Sequence, residues 1–144
     1  VKYNGHNQNI VRKVVRIIEE QDFVDNCVLT SMNYKFLQQA KELNPDIRTG
    51  YTMNMTYGDL EDMDGADFFS VKHTYITEQF VEKVHNLGKE VYAWTLNYQG
   101  DIQRMVNCEV DNIITDEPEL VRQVILGETS QSPGFAELLK YALK

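Results

Sequence analysis

The sequence is poor in several features, and each scarcity narrows what the chain can be. Its 144 residues hold two cysteines, Cys27 and Cys108. They form no Cys-x-x-Cys pair and join no Cys/His cluster with zinc-site spacing, so they read as two buried or half-buried thiols. No apolar run is long enough to span a bilayer, and no signal peptide is evident. No Gly-rich loop comes after an early strand pattern, which argues against nucleotide or flavin binding. Positive charge is scarce: 14 Lys and Arg face 22 Asp and Glu, for a net charge of −8. That balance argues against a nucleic-acid binder and against attraction to an anionic membrane surface. An anionic ligand would need a local cation or a metal ion.

What is present is an ordinary soluble composition, 42% apolar and 25% charged, in a length that fits one domain. Helix and strand patterns alternate. Residues 9–20 place Ile10, Val14, Ile17 and Ile18 on one helical stripe. Further helices are expected over 34–43, stopped by Asn44-Pro45, over 77–87, with Thr77 as N-cap and Gly88 as the stop, over 102–106, and from Pro118 to about Ile125. Short apolar strands are expected over 26–30, 47–51, 68–71, 91–95 and 112–115, with 1–3 as a further strand stump. Residues 55–63 read as an acidic loop with a short helix. Strands apolar on both faces and alternating with helices predict a parallel α/β sheet. Six strands fall between an open flavodoxin-like sheet and an eight-stranded barrel of about 250 residues, and composition alone leaves both open.

In a barrel, chemistry sits where strands end. The segment 89–118 therefore draws attention: KEVYAWTLN is a strand ending in Trp-Thr, and VDNIITDEP is a strand ending in Thr-Asp. Trp94, Asn97, Thr115 and Asp116 fall at those ends. Alternation puts Val91, Ala93 and Thr95 on one face and Tyr92 and Trp94 on the other. Trp94 reads either as core packing or as a platform for a small polar group. Asp116 and Glu117 read chiefly as helix-start charges before Pro118, and otherwise as a rim contact. His85 reads as a surface or packing residue. His73 and His6 are candidates for a rim role, His6 the better of the two because it neighbours Lys2. The acidic run Asp59, Glu61, Asp62 and Asp64 lacks EF-hand spacing and reads as a solvated loop.

The ending KEVYAWTLN…DIQRMVNCEVDNIITDEPELV resembles that of the glycerophosphodiester phosphodiesterase family. The matching residues are Val91, Tyr92, Trp94, Thr95 and Asn97, then Ile113, Ile114, Thr115, Asp116 and Pro118. Upstream, ADFFSVKHTYITEQFVEKVHNLGK is similar to the family's sixth strand and following helix, and LTSMNYKFLQQAKELNPDIRTGY to the segment before it. Val1 to His6 is similar to the end of the family's E-x-K strand, in the form found in a membrane-associated bacterial branch. The similarity runs from Val1 to about Leu126.

The resemblance implies strands three to eight of a (β/α)8 phosphodiesterase barrel over residues 1–126, with 127–144 a linker and a short amphipathic helix. It implies a parent enzyme that hydrolyses glycerophosphodiesters to glycerol 3-phosphate and an alcohol with a divalent metal, Ca or Mg. The branch it resembles makes membrane association of that parent an open alternative. Of the catalytic residues the resemblance carries over only Lys2, as a cation toward a phosphate oxygen. Trp94 and His6 are carried over as substrate-binding residues. The family's HRG motif, Glu-Asn pair, Glu-x-Asp and second His have no counterpart in this chain, and the Glu of E-x-K falls just before Val1. The chain starts on Val and reads as an excised segment, inactive alone and holding no metal. Two open sheet edges predict self-association. A non-catalytic glycerol- or phosphate-binding module is the alternative.

Overall fold

In the computed structural model, residues 1, 9–55 and 59–127 are described. Among the described residues are five helices and five strands, alternating except where β2 passes to β3 through a 3-10 turn: α1 (Ile10–Glu20), β1 (Val28–Ser31), α2 (Tyr34–Leu43), β2 (Arg48–Met53), β3 (Phe68–Lys72), α3 (Glu78–Asn86), β4 (Glu90–Trp94), α4 (Gln99–Asn107), β5 (Asn112–Ile113) and α5 (Pro118–Ile125). Three short 3-10 turns join them, at Val24–Asn26, Leu60–Asp62 and His73–Tyr75. No helix among the described residues is long and apolar enough to cross a membrane.

The strands pair in chain order, β1-β2-β3-β4-β5, and every pairing is parallel. This order separates the two topologies that composition left open. A doubly wound sheet reverses its strand order at a switch point, which places helices on both faces. Here the order never reverses. The right-handed crossover that parallel connections almost always take then puts the connecting helices on one side, as in a barrel. The sheet is an open sector of an α/β barrel. Val1 bonds the end of β1: its amino group donates to the Thr30 carbonyl, and its own carbonyl accepts from Ser31 Oγ at 2.9 Å.

Local sequence explains the element ends. The Asn33 side chain accepts from Lys35 N (3.2 Å) at the start of α2, and Thr77 accepts from Phe80 N (3.2 Å) at the start of α3. Gly88 takes φ +70 after α3, and the Lys89 N–H turns back to the Val84 carbonyl at 3.2 Å. Only the left-handed region permits that closure, so glycine is suited to it. Pro118 opens α5.

Three expectations need correction. In α1 the buried residues are Val11 and Val15, while Ile17 is 56% exposed. Val11, Val15 and Ile18 keep 4-then-3 spacing, and Ile17 lies too far around the helix to join them. The first described strand starts two residues later than its apolar pattern suggests, because Val24–Asn26 forms a 3-10 turn. Most important, the strands are not apolar on both faces.

Register assigns the faces, because Cα partners share a side. The helix-covered side carries Leu29, Thr49, Met53, Phe69, Val71, Val91 and Ala93, all buried. Full burial of each large apolar chain contributes about 1.5–3 kcal/mol. Beyond an edge pair of Val28 and Arg48, the inner side carries three rows. The lower row is Thr30, Gly50, Phe68 and Glu90; the middle row is Thr52, Ser70, Tyr92 and Asn112; the upper pair is Lys72 and Trp94. A barrel fills its interior with such layers, large beside small. Gly50 is the small member: a Cβ there would stand 2.1 Å from the Phe68 ring. Phe68 in turn stacks on Tyr92, with ring centroids 4.0 Å apart. Phe68 and Ser70 are buried at the centre of this side, while Val28 on the edge strand is 47% exposed.

Candidate active site at the carboxyl ends of the strands

The rim is built from the last residue of each strand and the turn after it. β3 ends on Lys72 and β4 on Trp94, and these two are direct Cα partners. Their ladder neighbours Val71 and Ala93 are fully buried under the helices, so Lys72 and Trp94 face inward. Trp94 is half-buried. Its Nε1 is out of water and has no hydrogen-bond partner among the described residues. Lys72 is exposed and has no ion-pair or hydrogen-bond partner for its ammonium among the described residues.

Beyond Trp94, Asn97 ties the next strand end. Its amide donates to Asp116 Oδ2 at 2.8 Å. Its Oδ1 accepts from the Asp116 N–H at 3.0 Å and from Thr115 Oγ1 at 3.2 Å. Thr115 Oγ1 also accepts from the Glu117 N–H at 2.8 Å. Thus Asn97, Thr115 and Asp116 do come together, as a clasp that fixes the turn into α5. Asp116 does not cap that helix; Glu117 occupies the N-cap position instead and makes no side-chain cap bond. Ile114 still bonds the Ala93 carbonyl and the Leu96 N–H, so the β5 ladder dissolves into this clasp.

The histidines are placed elsewhere. His73 comes directly after Lys72, but its ring meets Arg104 of α4, Nδ1 to guanidinium 3.2 Å, with Asp101 at 3.6 Å. Arg104 also donates to the His73 and Ile76 carbonyls. This pins the 3-10 turn to α4. His85 lies at the opposite end of the sheet, bonded to Asp111 at 2.9 Å. Asp59, Glu61, Asp62 and Asp64 all stand in solvent, with Glu61 3.7 Å from Lys83. Lys2 and His6 lie outside the described residues. Cys27 is half-buried and Cys108 buried, both free, and burial pushes both thiols up.

Two features are not evident from sequence patterning. On the floor, Arg48 bonds Glu90 at 2.8 Å and lies over the Phe68 ring at 5.9 Å. The Glu90 hydrogen bond raises the Arg48 pKa despite burial. Burial, then Glu90, raises that of Tyr92. The second feature is a repeated aspartate device at the amino ends. Asp67, just before β3, accepts from the Thr49 N–H (2.7 Å) and from Lys41 of α2 (2.8 Å). Asp111, just before β5, accepts from the Val91 N–H (2.7 Å) and from His85 of α3. In both, a strand-opening Asp holds the first turn of the neighbouring strand and a cationic or imidazole side chain from the helix before that strand. The one sequence signal is an Asp directly before each strand pattern, in ADFF and VDNI.

Among the described residues, no group of three or more His, Cys, Asp or Glu could hold a metal ion. Asp67 and Asp111 face the wrong end of the sheet, and Asp116 is engaged by Asn97. These residues do not fit a divalent metal site.

The model of the glycerophosphoryl diester phosphodiesterase family matches residues 1–120. The chain belongs to that family. It is 27% identical over 121 residues to a glycerophosphodiester phosphodiesterase of Caldanaerobacter subterraneus, covering 81% of this chain and 49% of that one. Among solved structures, a glycerophosphodiester phosphodiesterase from Parabacteroides distasonis superposes with a TM-score of 0.75 at 19% identity, over 91% of this chain and 56% of the other. An Oleispira antarctica phosphodiesterase, solved in complex with the product sn-glycerol-3-phosphate, gives 0.69 at 24% identity over 80% and 48%. These likenesses agree with the barrel sector derived from strand order. The chain spans about half the length of the curated relatives it matches.

Proposed function

We propose that this chain is the pocket-wall portion of a glycerophosphodiester phosphodiesterase. The protein that completes the barrel would hydrolyse a glycerophosphodiester to glycerol 3-phosphate and an alcohol, using Ca or Mg. One observation carries the reading: a parallel sheet in barrel order, within a family match over residues 1–120, puts Trp94 and a cation on the inner face at the carboxyl ends.

The reaction needs a cation at the phosphate, a base for the attacking oxygen and an acid for the leaving alkoxide. The metal, where bound, neutralises phosphate charge; its ligands belong to the completing segment, as do the acid and base. This chain binds and orients. Trp94 offers an indole face to the glycerol or alcohol portion. Lys2 supplies a cation toward a phosphate oxygen, and His6 a second polar contact. Residues 1–126 act as the barrel portion and 127–144 as an appended segment.

The test compares two proteins, the 144-residue chain and the product of the complete reading frame that contains it. Glycerophosphocholine is the substrate, and released glycerol 3-phosphate is measured with Ca or Mg and with EDTA. We expect metal-dependent release by the longer protein and none by the chain. Turnover by the pure chain contradicts the division of labour, and no turnover by the longer protein contradicts the activity. A non-catalytic glycerol- or phosphate-binding module is the second reading, favoured by the internal bonding of Asn97, Thr115 and Asp116. It requires that the longer protein bind glycerol 3-phosphate without turnover.

A further inference from the structure

The inner face of the sheet ends in an indole beside a lysine that no described residue answers. Lys72 and Trp94 are direct Cα partners on adjacent parallel strands, which places their backbones about 4.8 Å apart. Both side chains leave the same face. The other cations near this sheet are engaged: Lys41 with Asp67, Arg48 with Glu90, and Arg104 with the His73 turn. Lys89 is spent on the Met63 and Ala66 carbonyls at the amino ends. The rim carboxylate Asp116 takes the Asn97 amide rather than a cation. Lys72 is therefore an ammonium on a four-carbon stem, free to meet a ligand lying against Trp94. The indole Nε1 adds a buried donor without an acceptor among the described residues.

We infer that Lys72 and Trp94 form the subsite for the alcohol portion of the diester, and that Lys72 selects alcohols carrying a negative charge over those carrying an ammonium. The inference rests on the reading of this rim as a glycerophosphodiester pocket. The indole accepts any alcohol of suitable size, because stacking on a ring is tolerant. The fixed ammonium is not tolerant. It attracts a carboxylate or phosphate and repels a second ammonium, and by the usual worth of an exposed pair the discrimination is about fivefold. Salt weakens it, because both partners face solvent.

The test uses one diester in two charge states: glycerophosphoethanolamine, which ends in an ammonium, and its N-succinyl derivative, which ends in a carboxylate. Glycerol and phosphodiester are common to both. The 144-residue chain is titrated with each at low ionic strength, monitored by the fluorescence of Trp94, its only tryptophan. We expect the succinyl compound to bind about fivefold more tightly. Lys72→Gln should bring the ratio close to one, Lys72→Glu should reverse it, and Lys35→Gln on α2 should leave it unchanged. Circular dichroism checks that each variant is folded. Equal affinities in the parent chain, an unchanged ratio in both Lys72 variants, or no fluorescence response to either diester overturns the inference. The assay involves no metal and no turnover, so its failure is distinct from failure of the proposed hydrolysis.

Discussion

The two ends of the sheet treat charge in opposite ways. At the amino ends every strongly placed charge is answered within the fold. Asp67 meets Lys41 and Thr49, Asp111 meets His85 and Val91, and Lys89 meets two carbonyls. At the carboxyl ends Lys72 has no partner among the described residues, and Trp94 Nε1 has none. The two differ in cost: the exposed Lys72 ammonium is met by water, whereas the buried Trp94 Nε1 is a donor out of water, and leaving such a donor unpaired costs free energy. The amino ends hold neighbouring strands together, and in the reading proposed above the carboxyl ends keep Lys72 and the Trp94 ring for a ligand. This is the division expected of a barrel enzyme.

The comparison breaks most easily at Asp67. Its carboxylate accepts from the Thr49 N–H, from Thr49 Oγ1 and from Lys41. Asp67→Ala strands all three donors. Charge-assisted bonds at a half-buried site make a loss of about 2–3 kcal/mol reasonable. Asp111 answers two donors, Val91 N–H and His85, at a similar exposure. Asp111→Ala should cost less, about 1–2 kcal/mol. Urea midpoints for the two variants check the order. If Asp111→Ala proves the more damaging, the donor count does not set the strength of the clasp.

Acid should weaken the same end first. Burial, the largest influence on Asp67, pushes its pKa up, but the Lys41 ammonium together with the Thr49 N–H and hydroxyl overcomes it, and the net pKa is lowered. A carboxyl depressed in the folded state contributes stability that is fully present above its unfolded value, roughly 3.9. That stability is lost as pH falls through the folded value. Urea midpoints should therefore drop as pH falls through the carboxylate range. Asp67→Asn should flatten the drop, and an equally steep drop in that variant would assign the acid sensitivity elsewhere.

Much of this organisation is legible in the sequence, and the reason is periodicity. The helices announce themselves through Thr77, Gly88, Asn44-Pro45 and Pro118, which act locally. The strands announce themselves as short apolar runs, because their helix-covered sides carry Phe69, Val71, Val91 and Ala93. The inner face does not announce itself. Arg48, Thr52, Ser70 and Glu90 look like interruptions of the strand patterns until the register shows that they line one side. The order of the strands is likewise invisible to composition; the family resemblance implies a barrel, and the parallel pairing in chain order supports it. At the site, alternation alone separates Trp94 from Val91 and Ala93 and so puts it on the correct face. Lys72 carries no such signal, because its importance lies in its partner across the ladder, and a cross-strand partner is known only once the register is known. Asp67 and Asp111 are silent for a related reason. An Asp before a strand is a common turn residue, and only the neighbouring strand reveals what it holds.

The smallest effect makes the sharpest test of the contrast. Lys72→Gln removes a charge of the same kind as Lys41→Gln, from a strand end rather than from a helix beside Asp67. Lys41 donates to Asp67 and to the Pro45 carbonyl, so its loss leaves a half-buried carboxylate short of a partner. About 1 kcal/mol should be lost. Lys72 touches nothing that its removal would strand, so its substitution should change stability by less than about 0.5 kcal/mol. Thermal or urea unfolding of the two variants, side by side, reads the difference. A Lys72 variant as damaging as the Lys41 variant would mean that Lys72 is part of the fold's own charge pairing, and the carboxyl ends would then hold no cation in reserve.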